Sequence, residues 1–377
     1  MIRAVGLLDR YRQYDDVPPE VLVAAAERRR ERRRRALARA EIVDLSRTES
    51  PQMPDPEVVN AAIAALRGPI NLPPDRHAAG LRSALAERLG VEAALIAVGH
   101  GISDLLERVL AHLAGSEEVA VTWPSHPLLP LAIERAGKKA RPIERTSEAL
   151  ARAASAGCDL LICNPDDPTG HYFTSAQLAA VAQTLRCEQL LIVDEALIDY
   201  QRREHRDAVL RLSNRCNVVL LRTFSKAFGL AGLRIGYAVL PPTLAHRAGF
   251  VTPTLGVSAP AVAAATEALM RESWVEGQVG RIVAERERLA RELRARGFDV
   301  SPSEANFLWV AKLGIDGREL ARALERRAVR VASRAALGDR ARVRIAVRDR
   351  AASDRLLSAL DACLAELTQG RAHRSRS

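Results

Sequence analysis

Between residues 95 and 222 the chain repeats one rhythm: a short unbroken apolar run, a turn, then a stretch with helical spacing. The runs LIAV (95–98), EVAVT (118–122), DLLIC (159–163), LLIVD (190–194) and NVVLLR (217–222) are apolar at nearly every position rather than at alternate ones. A strand with one wet face alternates, whereas a strand apolar throughout is covered on both faces. Helical stretches at 103–113, 128–136 and 175–185 lie between the runs. The pattern predicts an α/β fold with a mainly parallel sheet between layers of helices. From about residue 253 the rhythm changes. A long charged helical stretch (264–297) leads into FDVSPSEANFLWVAKL, a helix, the strand-like ARVRIAV and a last helix. That reads as a smaller C-terminal α+β domain. The expected divisions are an Arg-rich helical extension over 1–44, a large domain over 45–250, a small one over 251–369, and a disordered basic tail over 370–377.

Open α/β sheets place their ligands in the loops at the carboxyl ends of the strands. LIAV ends in GHGISD, where two glycines let the backbone turn into a helix whose first N–H groups, near Ile102 and Ser103, are suited to an anion. DLLIC ends in NPDDPTG, which begins with Asn164, and its prolines and glycine also suit a rigid turn. LLIV ends in Asp194, and a carboxylate closing a buried apolar strand needs a cationic partner. VVLLR ends in TFSKAFGLAGLR, which carries Thr223, Ser225, Lys226 and Arg234.

Lys226 is conspicuous because the chain avoids lysine. Lysine and arginine together number 56, yet the lysines are Lys138, Lys139, Lys226 and Lys312. Arginine does not lose its proton to become a nucleophile, whereas a desolvated lysine does. Each strand-end residue has an ordinary structural explanation by itself. Together they suit a phosphorylated aldehyde cofactor: an amine for the aldehyde, a carboxylate for a protonated ring nitrogen, and hydroxyls with an arginine for the phosphate.

These segments resemble the fold-type I, pyridoxal-5′-phosphate-dependent aminotransferases of class I/II, and within them the histidinol-phosphate aminotransferase branch. NPDDPTG is similar to the family's Asn-Pro-x-x-Pro-Thr-Gly, VDEALIDY to its Asp-Glu-Ala-Tyr strand end, and TFSKAFGLAGLRIGY to its lysine and phosphate-binding segment. The resemblance implies that Lys226 is the Schiff-base lysine and proton shuttle, that Asp194 pairs with the pyridinium, and that Asn164 bonds the ring's phenolic oxygen. It implies that Thr223, Ser225 and Arg234, with the backbone at Ile102 and Ser103, hold the phosphate. It places Arg344 at the substrate α-carboxylate; strand alternation alone puts Arg342 and Arg344 on one face and does not choose between them. It also implies amino acid and 2-oxo acid substrates and a homodimer.

Several positions depart from the family pattern. His126, in WPSHPLL, stands where an aromatic residue stacks on the ring, a task imidazole also performs. Leu197 and Pro73 replace tyrosines, RTESP (47–51) replaces Asn-Glu-Asn-Pro near the substrate, and Ala332 replaces a further arginine. The cofactor shell is kept while the substrate shell is rewritten, so the expected donor is an amino acid other than histidinol phosphate. Decarboxylation on the same cofactor is the alternative reaction. A ligand-binding regulator is the alternative from another class, and the segment before residue 45 is short for the helix-turn-helix it would carry.

The formal charge of +10 raises nucleic acid as a partner. The arginines are scattered, however, apart from clusters at 28–39 and in the tail, and no stretch interleaves basic residues with stacking aromatics. The cysteines form no CxxC pair, so neither a disulfide framework nor a metal site is expected. No run reaches membrane-spanning length, and a cytoplasmic protein is expected.

Overall fold

The computed structural model describes residues 41–213, 217–333 and 339–374, together with the single residue 27. The Arg-rich extension therefore lies almost entirely outside the described residues. Among those described, seven strands form one sheet and five another.

The larger sheet holds β2 (Ile96–Gly99), β3 (Glu118–Thr122), β4 (Lys139–Ile143), β5 (Asp159–Cys163), β6 (Leu191–Asp194), β7 (Val218–Thr223) and β8 (Gly236–Val239), in the order β2-β8-β7-β6-β5-β3-β4. Every pairing is parallel except those of β8, which runs antiparallel to both β2 and β7. The expected runs thus become strands β2, β3, β5, β6 and β7. Strand β4 is not legible as an apolar run because it lies at the sheet edge, is largely exposed, and carries Pro142. Proline and exposed polar residues belong on edges, where no neighbour needs the missing N–H.

Helices cover both faces. Helix Ile102–His112 turns Leu105, Leu106, Val109 and Leu110 inward, at the i, i+1, i+4, i+5 spacing of a helical stripe. With Leu129, Ile133 and Val251 these residues form the core on one side of the sheet. The core on the other side continues into the C-terminal part of the chain. Helix Ser175–Ala182 starts at a capping box: Thr174 Oγ1 accepts from Gln177 N, and the Gln177 side chain accepts from Thr174 N. Thr174→Ala removes half of that exchange and is expected to cost about 1 kcal/mol of stability, read as a lower urea midpoint with an unchanged slope.

The smaller sheet runs β1-β11-β12-β10-β9, from β1 (Val43–Leu45), β9 (Phe298–Val300), β10 (Phe307–Lys312), β11 (Val329–Ser333) and β12 (Arg342–Ala346). Strand β1 pairs in parallel with β11, so the chain enters through its C-terminal sheet before it builds the large one. A three-residue strand is too short to show a period, which is why 43–45 does not stand out in the sequence. The helical stretch expected over 264–297 is two helices, Ala259–Met270 and Glu272–Ala295, broken at Arg271, whose φ of −106° and ψ of 31° leave the helical region. The last helix, Arg350–Arg374, runs through part of the tail expected to be disordered from 370. No helix among the described residues is long and apolar enough to cross a membrane.

Candidate active site

Register brings the chemistry together. Cys163 pairs with Asp194, and Asp194 with Leu221, so β5, β6 and β7 end side by side. Thr223 and Gly99 both face Gly236 at the start of β8, which sets Arg234 against the turn that opens helix Ile102–His112. A cavity lies at these ends. Its walls include Ile102, Ser103, His126, Asp194, Thr223, Ser225, Lys226 and Arg234, eight of the residues singled out from sequence.

Lys226 sits in a short loop held from below by aromatic packing. Phe224 is buried against Phe228 and Tyr237, with ring centroids 5.0 and 5.9 Å away. Backbone bonds from Leu230 N to Phe224 O and from Gly229 N to Lys226 O close the turn. Lys226 Nζ donates to Thr48 Oγ1 at 2.7 Å and stands 3.6 Å from Glu49 Oε1. Burial lowers its pKa, and Arg344 adds to that, while Glu49 and Asp167 oppose it; the net shift is downward. The amine is therefore easier to free of its proton than an exposed lysine. Thr48 and Glu49 come from the RTESP segment, to which sequence reasoning gave no specific role.

Asp194 accepts from Ala196 N at 2.9 Å. Burial in the sheet end raises its pKa to about 6, against the lowering effects of that bond and of Lys226. A carboxylate held up in this way is stabilised by any cation placed over it, and a protonated ring nitrogen is one.

The anion end is built from backbone and an arginine. Helix Ile102–His112 begins after Gly101 with no side-chain cap, so its first N–H groups are left for a ligand. Gly101 has φ +82°, and a Cβ there would come within 2.9 Å of Arg234 Nη2. Only glycine lets the arginine lie against the turn. Arg234 itself adopts φ +51° and donates from Nη1 to Ser225 Oγ at 3.3 Å and to Ala231 O at 3.1 Å. Thr223 Oγ1 accepts from Ser225 N at 3.0 Å. An uncapped helix start, two hydroxyls and a guanidinium in one corner fit a phosphate, and with Asp194 and Lys226 they fit pyridoxal phosphate.

Two expected residues stand behind the wall rather than in it. Asn164 is fully buried, donating from Nδ2 to Phe173 O at 3.0 Å and accepting at Oδ1 from Phe173 N at 2.7 Å. The residues of its loop that reach the cavity are Pro165 and Asp167. Sequence reasoning missed Asp167 because both aspartates of NPDDPTG look like turn residues. Only the fold separates them: Asp166 points away, to Ser125, Arg145 and Thr169. Arg344 is buried behind Asp167, while Arg342 turns to Asp299 and Asp339 at the surface.

The family described as aminotransferase class I and II matches residues 40–360. An aromatic amino acid aminotransferase of Mycobacteroides abscessus is 36% identical over 288 residues, covering 74% of this chain and 82% of that protein. A histidinol-phosphate aminotransferase of Rubrobacter xylanophilus is 34% identical, over 71% of this chain and 79% of its own. Among solved structures, histidinol-phosphate aminotransferase from Sinorhizobium meliloti in complex with pyridoxal-5′-phosphate superposes with a TM-score of 0.77 at 29% identity, covering 89% of this chain and 94% of that one.

Proposed function

The chain belongs to the aminotransferase class I and II family, and from that premise we propose how its own residues move an amino group. It is an aminotransferase, and its family is pyridoxal phosphate-dependent. The observation that carries the residue-level reading is one juxtaposition: a half-buried lysine, a buried carboxylate and an uncapped helix start with an arginine, all facing one cavity.

Lys226 Nζ would hold the cofactor through its aldehyde carbon, with loss of water, and would carry the proton to and from the substrate Cα. Thr48 holds that nitrogen in place, and Glu49 holds its charge when it is protonated. Asp194 keeps the ring nitrogen protonated, and the bound ring then supplies an electron sink for the pair left at Cα. Arg234, Ser225, Thr223 and the N–H groups of Ile102 and Ser103 would hold the phosphate, and His126, which lines the same cavity, would pack against the ring. Asn164 supports the ring side indirectly, by fixing the loop that carries Asp167. Arg344, paired with Asp167 behind the wall, is the residue that would receive the substrate carboxylate. The acting unit is a homodimer, a reading supported by the exposed Leu66, Ile70 and Leu72.

Amino donors of aromatic type are the first to test, since relatives of this chain carry that name. Purified protein with pyridoxal phosphate, 2-oxoglutarate and phenylalanine, tyrosine or histidinol phosphate is expected to form an oxo product and glutamate in equal amounts from an aromatic donor. Release of carbon dioxide without an oxo acid would replace this reading with decarboxylation.

A further inference from the structure

Glu195 and Arg222 are buried charges to which the chemistry above gives no task. They are 1% and 4% exposed. Each stands next to a residue that faces the active-site cavity: Glu195 follows Asp194 at the end of β6, and Arg222 precedes Thr223 at the end of β7. Neighbouring side chains of an extended chain point to opposite faces, so the pair meets behind the wall that Asp194 and Thr223 present to the cavity. There Glu195 and Arg222 line a second, smaller cavity with Phe224, and Thr223 borders both. Arg222 Nε donates to Glu195 Oε2 at 2.7 Å, and Glu195 N donates to Leu221 O at 2.8 Å, so side chains and backbone both tie the two strand ends together. Arg222 also donates from Nη1 to Asp207 Oδ1 at 2.6 Å and from Nη2 to Arg206 O at 3.0 Å, which fixes the guanidinium on its far side.

Such a pair is a poor way to gain stability. Taking two charges out of water costs about as much as their attraction returns. Glu195 Oε1 is moreover buried with no partner among the described residues, a further cost. What the pair does supply is a fixed distance. Asp194 would take the ring nitrogen and Thr223 belongs to the phosphate corner, so one rigid molecule must be met at both ends by two neighbouring strands. Resting on the cofactor reading above, we infer that Glu195 and Arg222 are positioning residues: their ion pair holds the ends of β6 and β7 at the spacing that lets a single ligand reach the ring-nitrogen carboxylate and the phosphate corner together. Neither residue touches the ligand; both act through Asp194 and Thr223.

The test titrates the cofactor-free full chain calorimetrically with pyridoxamine 5′-phosphate and with inorganic phosphate. The first spans both anchors and has no aldehyde for Lys226; the second needs the phosphate corner alone. In Glu195→Met with Arg222→Met the two charges leave together. This variant is expected to keep a urea midpoint close to wild type and to bind inorganic phosphate within about twofold, while pyridoxamine phosphate weakens on the order of tenfold or more. Glu195→Gln keeps an acceptor for Arg222 Nε and is expected to bind both ligands as wild type does. Should the double variant not fold, Glu195→Asp, one methylene shorter, is read for the same split. Equal binding of pyridoxamine phosphate by wild type and a folded variant overturns the inference. So does a parallel loss of both ligands, which would mean a collapsed phosphate corner rather than a lost spacing. Wild type that binds neither ligand would overturn the cofactor reading itself, a different result from either of these.

Discussion

Lys226→Ala is expected to lower turnover by at least about 10⁴-fold, because one substitution removes both the nucleophile and the group that moves the Cα proton. The chain offers no substitute. Arg135 and Arg234, which line the cavity, and Arg344, buried in its pair with Asp167, are guanidinium groups that do not deprotonate. For the same reason Lys226→Arg, which keeps the charge and roughly the length, is expected to be as inactive as the alanine variant. Two readouts check this: the steady-state rate with the best donor, and the visible absorption that pyridoxal phosphate acquires when joined to a protein amine. Wild type should show the band and both variants should lack it. Thermal melts should be little altered, since the half-buried Lys226 amine makes one hydrogen bond, to Thr48, among the described residues and stands 3.6 Å from Glu49. An arginine variant that keeps measurable turnover would mean that the lysine acts only as a charge, and the proposed role would be wrong.

How much of this was legible before the fold was known differs by residue, for physical reasons. Strands β5, β6 and β7 are buried on both faces, so their composition announces them, and the residues that close them follow at once. Lys226 stands out because lysine is scarce in the chain. Strands β1 and β4 are silent, one too short for a period and the other an edge with no face to bury. In the site, what the sequence hides is partnership. Asn164 and Asp167 lie three positions apart in one turn, and residue type favours the asparagine as the ligand-facing group. In the fold Asn164 closes onto Phe173, and Asp167 reaches Arg344 across 177 positions of sequence. Thr48 reaches Lys226 across 178 positions. Spacing along the chain carries no trace of such contacts, whereas the cofactor shell, drawn from consecutive strand ends of one sheet, is local enough to be read.

Asp194 yields the second large effect, and it acts on stability and activity in opposite directions. Burial raises its pKa from 3.8 to about 6 in the folded chain. For a carboxyl raised on folding, its contribution to stability is fully present below the ordinary carboxylate pKa and is lost as pH rises through about 6. At pH 7.5 the ionised carboxylate is therefore a liability of the cofactor-free protein, on the order of 3 kcal/mol at most for a shift of this size. Asp194→Asn keeps the shape and removes the charge. The cofactor-free variant is expected to be more stable than wild type at pH 7.5, with the difference shrinking toward zero by pH 4, measured by urea denaturation across that range. Loaded with pyridoxal phosphate, the order reverses in function. Without the carboxylate the ring nitrogen has no anion to keep it protonated, and turnover should fall by about 10³-fold or more. The two results are one argument: the site stores an unfavourable negative charge so that a cationic ring is drawn to it. A cofactor-free Asp194→Asn no more stable than wild type at any pH would show that the charge carries no such cost, and the link between burial and cofactor binding would fail with it.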